Sequence, residues 1–140
     1  CTHVMLRALE TNERFHYYNT HLDHVSDEAR VLGAQAIMGR MREDLARYDL
    51  PVILSGDMNA APDSGAIAAF LTDPEIRLTN QTPDFPASWH DYGRQMDEPQ
   101  IDYIFTRGFA AEKAPVAWAD RPFGKFLSDH TPLCAYLKLL

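Results

Sequence analysis

Asp57 and Asn59 stand two residues apart at the end of an apolar run, Pro51-Val52-Ile53-Leu54-Ser55-Gly56-Asp57-Met58-Asn59. If the backbone stays extended there, both side chains point the same way. A carboxylate, which accepts, and a carboxamide, which donates and accepts, then sit side by side on a rigid strand end. That pair suits a metal-activated water and a phosphate oxygen. Three further pieces fall at predicted strand ends: His21 in Asn19-Thr20-His21-Leu22-Asp23-His24, Asp102 in Gln100-Ile101-Asp102-Tyr103-Ile104-Phe105, and Asp129-His130 in Leu127-Ser128-Asp129-His130-Thr131-Pro132. Singly, each has a plain structural reading. A His after a strand is more often solvated, Asp and Asn after Gly form turns, and Ser128-Asp129-His130 before Pro132 reads as a turn. Asp102 is harder to dismiss, because a carboxylate between Ile101 and Tyr103 needs a partner or a solvent-facing side.

The elements that must position these residues follow from patterning. Val52 to Leu54 is a continuous apolar run with two β-branched residues, the mark of a strand buried on both faces, and Ser55-Gly56 lets the backbone turn. Cys1 to Leu9 and Arg14 to Thr20 read as two strands joined by the polar Glu10-Thr11-Asn12-Glu13, a hairpin. Ser26 can cap a helix from Asp27 to about Tyr48, with Ala29, Leu32, Ala36, Ile37, Met41, Leu45 and Tyr48 as its apolar face and Gly33 permitting close packing. Asp63 or Ser64 caps a short helix through Leu71. Thr72 to Pro86 is loop-rich, with a short strand near Ile76 to Leu78. Ser88 to Tyr92 and Gln100 to Thr106 read as strands, Ala110 to Gly124 as irregular and proline-interrupted, and Thr131 to Leu140 as the last strand.

With 140 residues, 46% hydrophobic and 24% charged, the chain is expected to be one globular domain with a real core. A net charge of −7 without a basic cluster disfavours a general nucleic-acid binder, though not an enzyme whose metal ions offset an acidic site. No apolar run is long enough to span a bilayer, and the cytoplasm is the mildly preferred compartment. Cys134 lies in an apolar strand and is expected to be a buried free thiol. There is no Gly-x-Ser-x-Gly elbow for a serine hydrolase, and neither a His-Glu-x-x-His nor a cysteine pair for zinc.

Taken together and in this order, the four pieces resemble the endonuclease/exonuclease/phosphatase family, whose members cut phosphoester bonds with Mg²⁺ or Mn²⁺ and an in-line water. The resemblance implies an α/β (α+β) fold, part of a four-layer α/β/β/α sandwich with mostly antiparallel sheet. It implies that Asp57 polarises or deprotonates the water and that Asn59 holds the water or a phosphate oxygen. His130 would contact the scissile phosphate, with Asp102 accepting its other N–H, and His21 would donate to a non-bridging oxygen. The implied metal shell is Asp129 as a direct ligand, with Asp57, Asn59 and His130. Asp23 and His24 would line the substrate mouth. Trp89, His90 and Tyr92 would border the site and stack on substrate, with packing at a sheet edge the equal alternative. The basic residues of Arg107 to Lys125 read as a solvated loop.

The implied first half of the sandwich, with an Asn-bearing strand and a Glu metal ligand, has no counterpart here. The expectation is therefore a single unit over 1–140, the C-terminal portion of such a domain. A half-sandwich exposes an apolar sheet face, so self-association is also expected. The partner expected at the site is a phosphoester: a small molecule, a lipid head group or a nucleic acid. The rival reading is a non-catalytic interaction module on a degenerate scaffold.

Overall fold

The structure is a computed structural model that describes residues 1–85 and 87–140; Pro86, which the sequence places in a loop, lies outside the described residues. Strand β1 (Thr2–Arg7) pairs antiparallel with β2 (Arg14–His21), the expected hairpin. Its connection turns at Asn12, which adopts a left-handed φ of 62°. Helix α1 (Asp27–Arg47) then carries the chain across the sheet to β3 (Val52–Asp57), which lies parallel to β2. Ser26 caps α1 by accepting from the Ala29 N–H, and Asp27 and Glu28 occupy its positive end. Ser64 caps the short helix α2 (Gly65–Leu71) in the same manner, through the Ile67 N–H.

β5 (Asp102–Arg107) runs antiparallel beside β3, and the two-residue β4 (Thr79–Asn80) borders it. The sheet order is β1-β2-β3-β5-β4. The strand expected at Ile76 to Leu78 is thus displaced to Thr79–Asn80. Ile76 and Leu78 are instead buried loop anchors, because the Asp73 carboxylate accepts from the Glu75 and Ile76 N–H groups and curls the chain there.

Alternation sets the core. Tyr18, Val52, Leu54, Tyr103 and Phe105 point to one face and are fully buried against Ala34, Ile37, Met38 and Met41 of α1 and Ile67 and Phe70 of α2. Each large side chain buried this way contributes about 1.5–3 kcal/mol. The buried stripe of α1 is rotated from the expected one. Ala29, Leu32, Ala36 and Tyr48 are exposed, while Ala34, Met38 and Asp44 are buried. Asp44 belongs to the core because its carboxylate is fully employed. It accepts from the Tyr18 hydroxyl at 2.9 Å, pairs with Arg40 at 3.0 Å and faces His3 Nδ1 at 3.3 Å. Burial opposes this charge, but the Tyr18 and Arg40 hydrogen bonds and the His3 ring outweigh it and hold the Asp44 carboxyl below its usual range.

β6 (Phe109–Ala117) and β7 (Leu133–Leu139) form a second, two-stranded antiparallel sheet. Ala110 to Gly124 is therefore not irregular throughout. Pro115 is tolerated because it falls at a register shift, between the pairs Lys113↔Tyr136 and Val116↔Cys134, where no ladder N–H is demanded of it. The Ser88 to Tyr92 strand shrinks to one bridge, Trp89↔His130, since Asp91 and Tyr92 take left-handed φ values of 42° and 54°. Cys134 is a free thiol but only half-buried, not the buried one expected. The second sheet reaches the larger one through the Phe15–Phe109 edge contact at 5.8 Å. On β1, Val4 and Leu6 are each 41% exposed, but the self-association expected of an open apolar face finds no support here.

Candidate active site

Three adjacent strands deliver three polar side chains to one sheet edge. His21 ends β2, Asp57 ends β3 and pairs with it in register, and Asp102 begins β5 directly opposite Asp57. Since Tyr18, Leu54 and Tyr103 point toward the helices, period-2 alternation turns these three the other way. Gly56 makes the close approach possible. Its φ is 145°, and a Cβ there would lie 1.9 Å from the Thr20 carbonyl oxygen. Any side chain at 56 would drive β2 and β3 apart where His21 and Asp57 must meet.

His130 arrives from the loop before β7. Ser88 fastens that loop to the strand carrying Asp102. The Ser88 hydroxyl oxygen accepts from the Ile101 and Asp102 N–H groups at 2.9 and 3.0 Å, and its carbonyl accepts from the Thr131 N–H at 2.7 Å. Ser88 is fully buried, so both attachments are out of water's reach. The result is a bond of 2.8 Å between His130 Nδ1 and Asp102 Oδ2. With Nδ1 so engaged, His130 Nε2 faces Asp57 Oδ2 at 3.9 Å, and His21 Nε2 approaches the same oxygen at 3.5 Å.

Asp57 is the electrostatic centre. Burial raises its pKa above the ordinary carboxylate value, and the neighbouring Asp102 charge adds to that; the Asn59 N–H, His21 and His130 work against them. Ligand atoms of Asp57, Asp102 and His130 all lie within 4.8 Å of one another. Two carboxylates, one of them disfavoured as an anion, form a pair that a hard divalent cation would relieve.

The remaining expected residues divide. Asn59 is not extended alongside Asp57. It takes a left-handed φ of 47°, donates its N–H to Asp57 Oδ1 at 2.8 Å and turns its amide Nδ2 to the Leu22 carbonyl at 2.9 Å. A tight Asx turn thus replaces the parallel side-chain pair. Asp129 lies outside the three-residue group, with its Oδ1 3.4 Å from the Ser128 hydroxyl and its carbonyl accepting from the His90 N–H. The Asp23 carboxylate accepts from the Val25 and Ser26 N–H groups, bonds that lower its pKa and shape the entry to α1. His24 is exposed beside it. Trp89 is half-buried in the bridge to His130, and His90 is buried with its ring centred 4.5 Å from that of Phe126.

Sequence reasoning missed Ser88, and also a polar group on the same sheet face. Tyr17 hydroxyl and Ser55 hydroxyl lie 2.8 Å apart, and Asn19 Nδ2 donates to the Ser55 carbonyl at 3.2 Å. Alternation could have found these, since Asn19 shares a face with His21 and Ser55 with Asp57.

The sequence profile described as the Endonuclease/Exonuclease/phosphatase family matches residues 2–130. The chain belongs to this family. No curated protein matches it. Among solved structures, an endonuclease/exonuclease/phosphatase from Bacteroides vulgatus shares 28% identity at a TM-score of 0.85, over 99% of this chain and 54% of that one. The mannosyl-6-phosphatase Bt3783 of Bacteroides thetaiotaomicron shares 24% identity at a TM-score of 0.86, over 98% of this chain and 56% of that one. The human Nocturnin catalytic domain, solved with a bound sulfate anion, shares 19% identity at a TM-score of 0.75, over 99% of this chain and 52% of that one. The chain thus spans about half the length of the solved relatives it matches. Its mixed fold, a mostly antiparallel sheet with two helices, matches that of these endonuclease/exonuclease/phosphatase neighbours.

Proposed function

We propose that this chain carries the acid–base and phosphate-binding part of a divalent-metal-dependent phosphoester hydrolase site. The observation that supports this reading best is the bond between His130 Nδ1 and Asp102 Oδ2, which aims the other imidazole nitrogen at Asp57 across a gap of 3.9 Å. That gap exceeds a hydrogen bond. It leaves both side chains turned toward a shared point rather than committed to each other.

In the proposed reaction water attacks phosphorus as the ester P–O bond breaks; Asp57 takes the water's proton and the departing alkoxide takes one from solvent. A carboxylate whose burial raises its pKa is a better base than a solvated one. His130 donates from Nε2 to a phosphate oxygen, and Asp102 stabilises the imidazolium and fixes its tautomer. His21, 69% exposed at its side chain, donates to a non-bridging oxygen from the open side. Asn59 holds the turn that seats Asp57. Asp57 and Asp102 would hold Mg²⁺ or Mn²⁺, with Asn59 and Asp129 as further candidates, while His130, engaged through both ring nitrogens, stands beside the ion as proton donor. A bound cation supplies charge neutralisation at the phosphate.

The neighbour named a mannosyl-6-phosphatase supports a phosphoester as substrate, and a neighbour solved with a single-stranded DNA product, at 15% identity, leaves a phosphodiester within the class. The test is hydrolysis of p-nitrophenyl phosphate and bis(p-nitrophenyl) phosphate with Mg²⁺ or Mn²⁺. His130→Ala is expected to lower the rate on the order of 10³-fold. Equal rates in both proteins would contradict the proposal.

A further inference from the structure

We infer that the hollow beside His130 is a subsite for a planar aromatic ring attached to the scissile phosphate; this rests on the phosphoester reading above. The hollow has a volume of about 290 Å³, with Trp118, Phe126, Leu127 and Met96 among its walls and His130 at one end. Ser128, His130, Thr131 and Pro132 also line the groove that contains Asp102 and Gly56. His130 is one of four residues shared by the two spaces, so a group bonded to a phosphate at His130 has this hollow as its neighbour.

Three properties favour a ring as occupant. The first is a wall built in advance. Phe126 is held by the Arg121 guanidinium at 4.0 Å from its ring centre and by the His90 ring at 4.5 Å. Gly93 presses so close that a Cβ there would stand 2.5 Å from Phe126 Cε2, and its φ of 87° suits glycine. The second is exposed apolar surface gathered at one place. Trp118 is 59% exposed, Leu127 78% and Met96 56%, and a flat ligand would cover side chains that water otherwise solvates poorly. The third is size and polarity. The volume sits at the lower end of small-molecule sites. Its mostly carbon walls would leave a polyol's hydroxyls unpaired, whereas a ring stacks on Trp118 without that cost.

The test is a two-dimensional NMR titration of the chain with phenyl phosphate, glucose 6-phosphate and inorganic phosphate, repeated with Trp118→Ala and Trp118→Phe. Phenyl phosphate is expected to shift the Trp118 indole and Gly93 amide signals and to bind about tenfold tighter than either other anion. Trp118→Ala should abolish that preference and leave inorganic phosphate binding unchanged, while Trp118→Phe retains it. If inorganic phosphate moves the His130 signals but phenyl phosphate gains nothing over glucose 6-phosphate, the inference fails and the phosphoester reading stands. If inorganic phosphate leaves His130 unmoved, the phosphoester reading fails and the inference falls with it.

Discussion

Asp102 Oδ2 accepts from His130 Nδ1 at 2.8 Å, although the two residues are 28 positions apart and belong to different pieces of the fold. Asp102 rides on a central strand, and His130 on a loop clamped to that strand by Ser88. The Asp102 carboxylate thus decides which nitrogen of the imidazole faces Asp57. Asp102→Asn keeps an acceptor but removes the charge behind the imidazolium. It should lower kcat for phosphoester hydrolysis by about 10–100-fold, with KM changed less than kcat. Steady-state kinetics with bis(p-nitrophenyl) phosphate checks this.

Ser88→Ala removes the buried acceptor for the Ile101 and Asp102 N–H groups at the entry to β5. The expected loss is about 2 kcal/mol, read by urea unfolding. The His130 ring signals in NMR should broaden or shift even though residue 88 does not touch the ring. A change in stability with sharp, unmoved His130 signals would show that Ser88 holds the fold but not the imidazole.

Much of this arrangement was legible in the sequence, and the reason is topological. His21, Asp57 and Asp102 each abut a strand with a clear apolar pattern, so the strand ends locate them. The helix caps at Ser26 and Ser64 were equally local and held. What failed depended on distant partners. Asp44 is absent from the expected core, because nothing near it in sequence announces Tyr18 and His3. Asn59 was expected to lie extended, because its left-handed turn is stabilised by Leu22, 37 positions away. Pro115 suggested an irregular segment, because an edge strand with a register shift tolerates it. Ser88 carried no signal at all, since a serine that ties a loop to a strand has no characteristic spacing.

Asp57 places a charge where the fold disfavours it. Its pKa is raised chiefly by burial, so the folded state holds the proton more readily than the unfolded chain does. The contribution of the protonated form is fully present below the unfolded carboxylate value and is lost as pH rises through the raised folded value. At pH 7 the ionised group is therefore a cost. Asp57→Asn should raise the Tm of the metal-free protein by about 2–4 °C at pH 7, corresponding to about 1 kcal/mol. The gain should vanish as the pH is lowered to about 3, near or below the unfolded carboxylate value. Calorimetry across that range measures it.

Asp44 behaves in the opposite sense. Burial opposes its charge, but Tyr18, Arg40 and His3 prevail and its folded pKa lies below the unfolded one. Its stabilisation is present above the unfolded value and is lost as pH falls through the folded value. Asp44→Ala leaves the Tyr18 hydroxyl and the Arg40 side chain without this partner, and should cost about 3 kcal/mol at pH 7. The difference from the parent protein should shrink as pH falls below the unfolded carboxylate value and through the lowered folded one. Denaturant melts at pH 7 and pH 3 decide the point.

The account depends on Asp57 and Asp102 holding a cation beside His130. Paramagnetic broadening by Mn²⁺ tests this directly, residue by residue, with the chain as it is. Substoichiometric Mn²⁺ should broaden the amide signals of Asp57, Met58, Asn59, Asp102 and His130 first, and Asp57→Asn together with Asp102→Asn should abolish that pattern. Broadening centred elsewhere on the acidic surface, or unchanged in the double variant, would contradict the account.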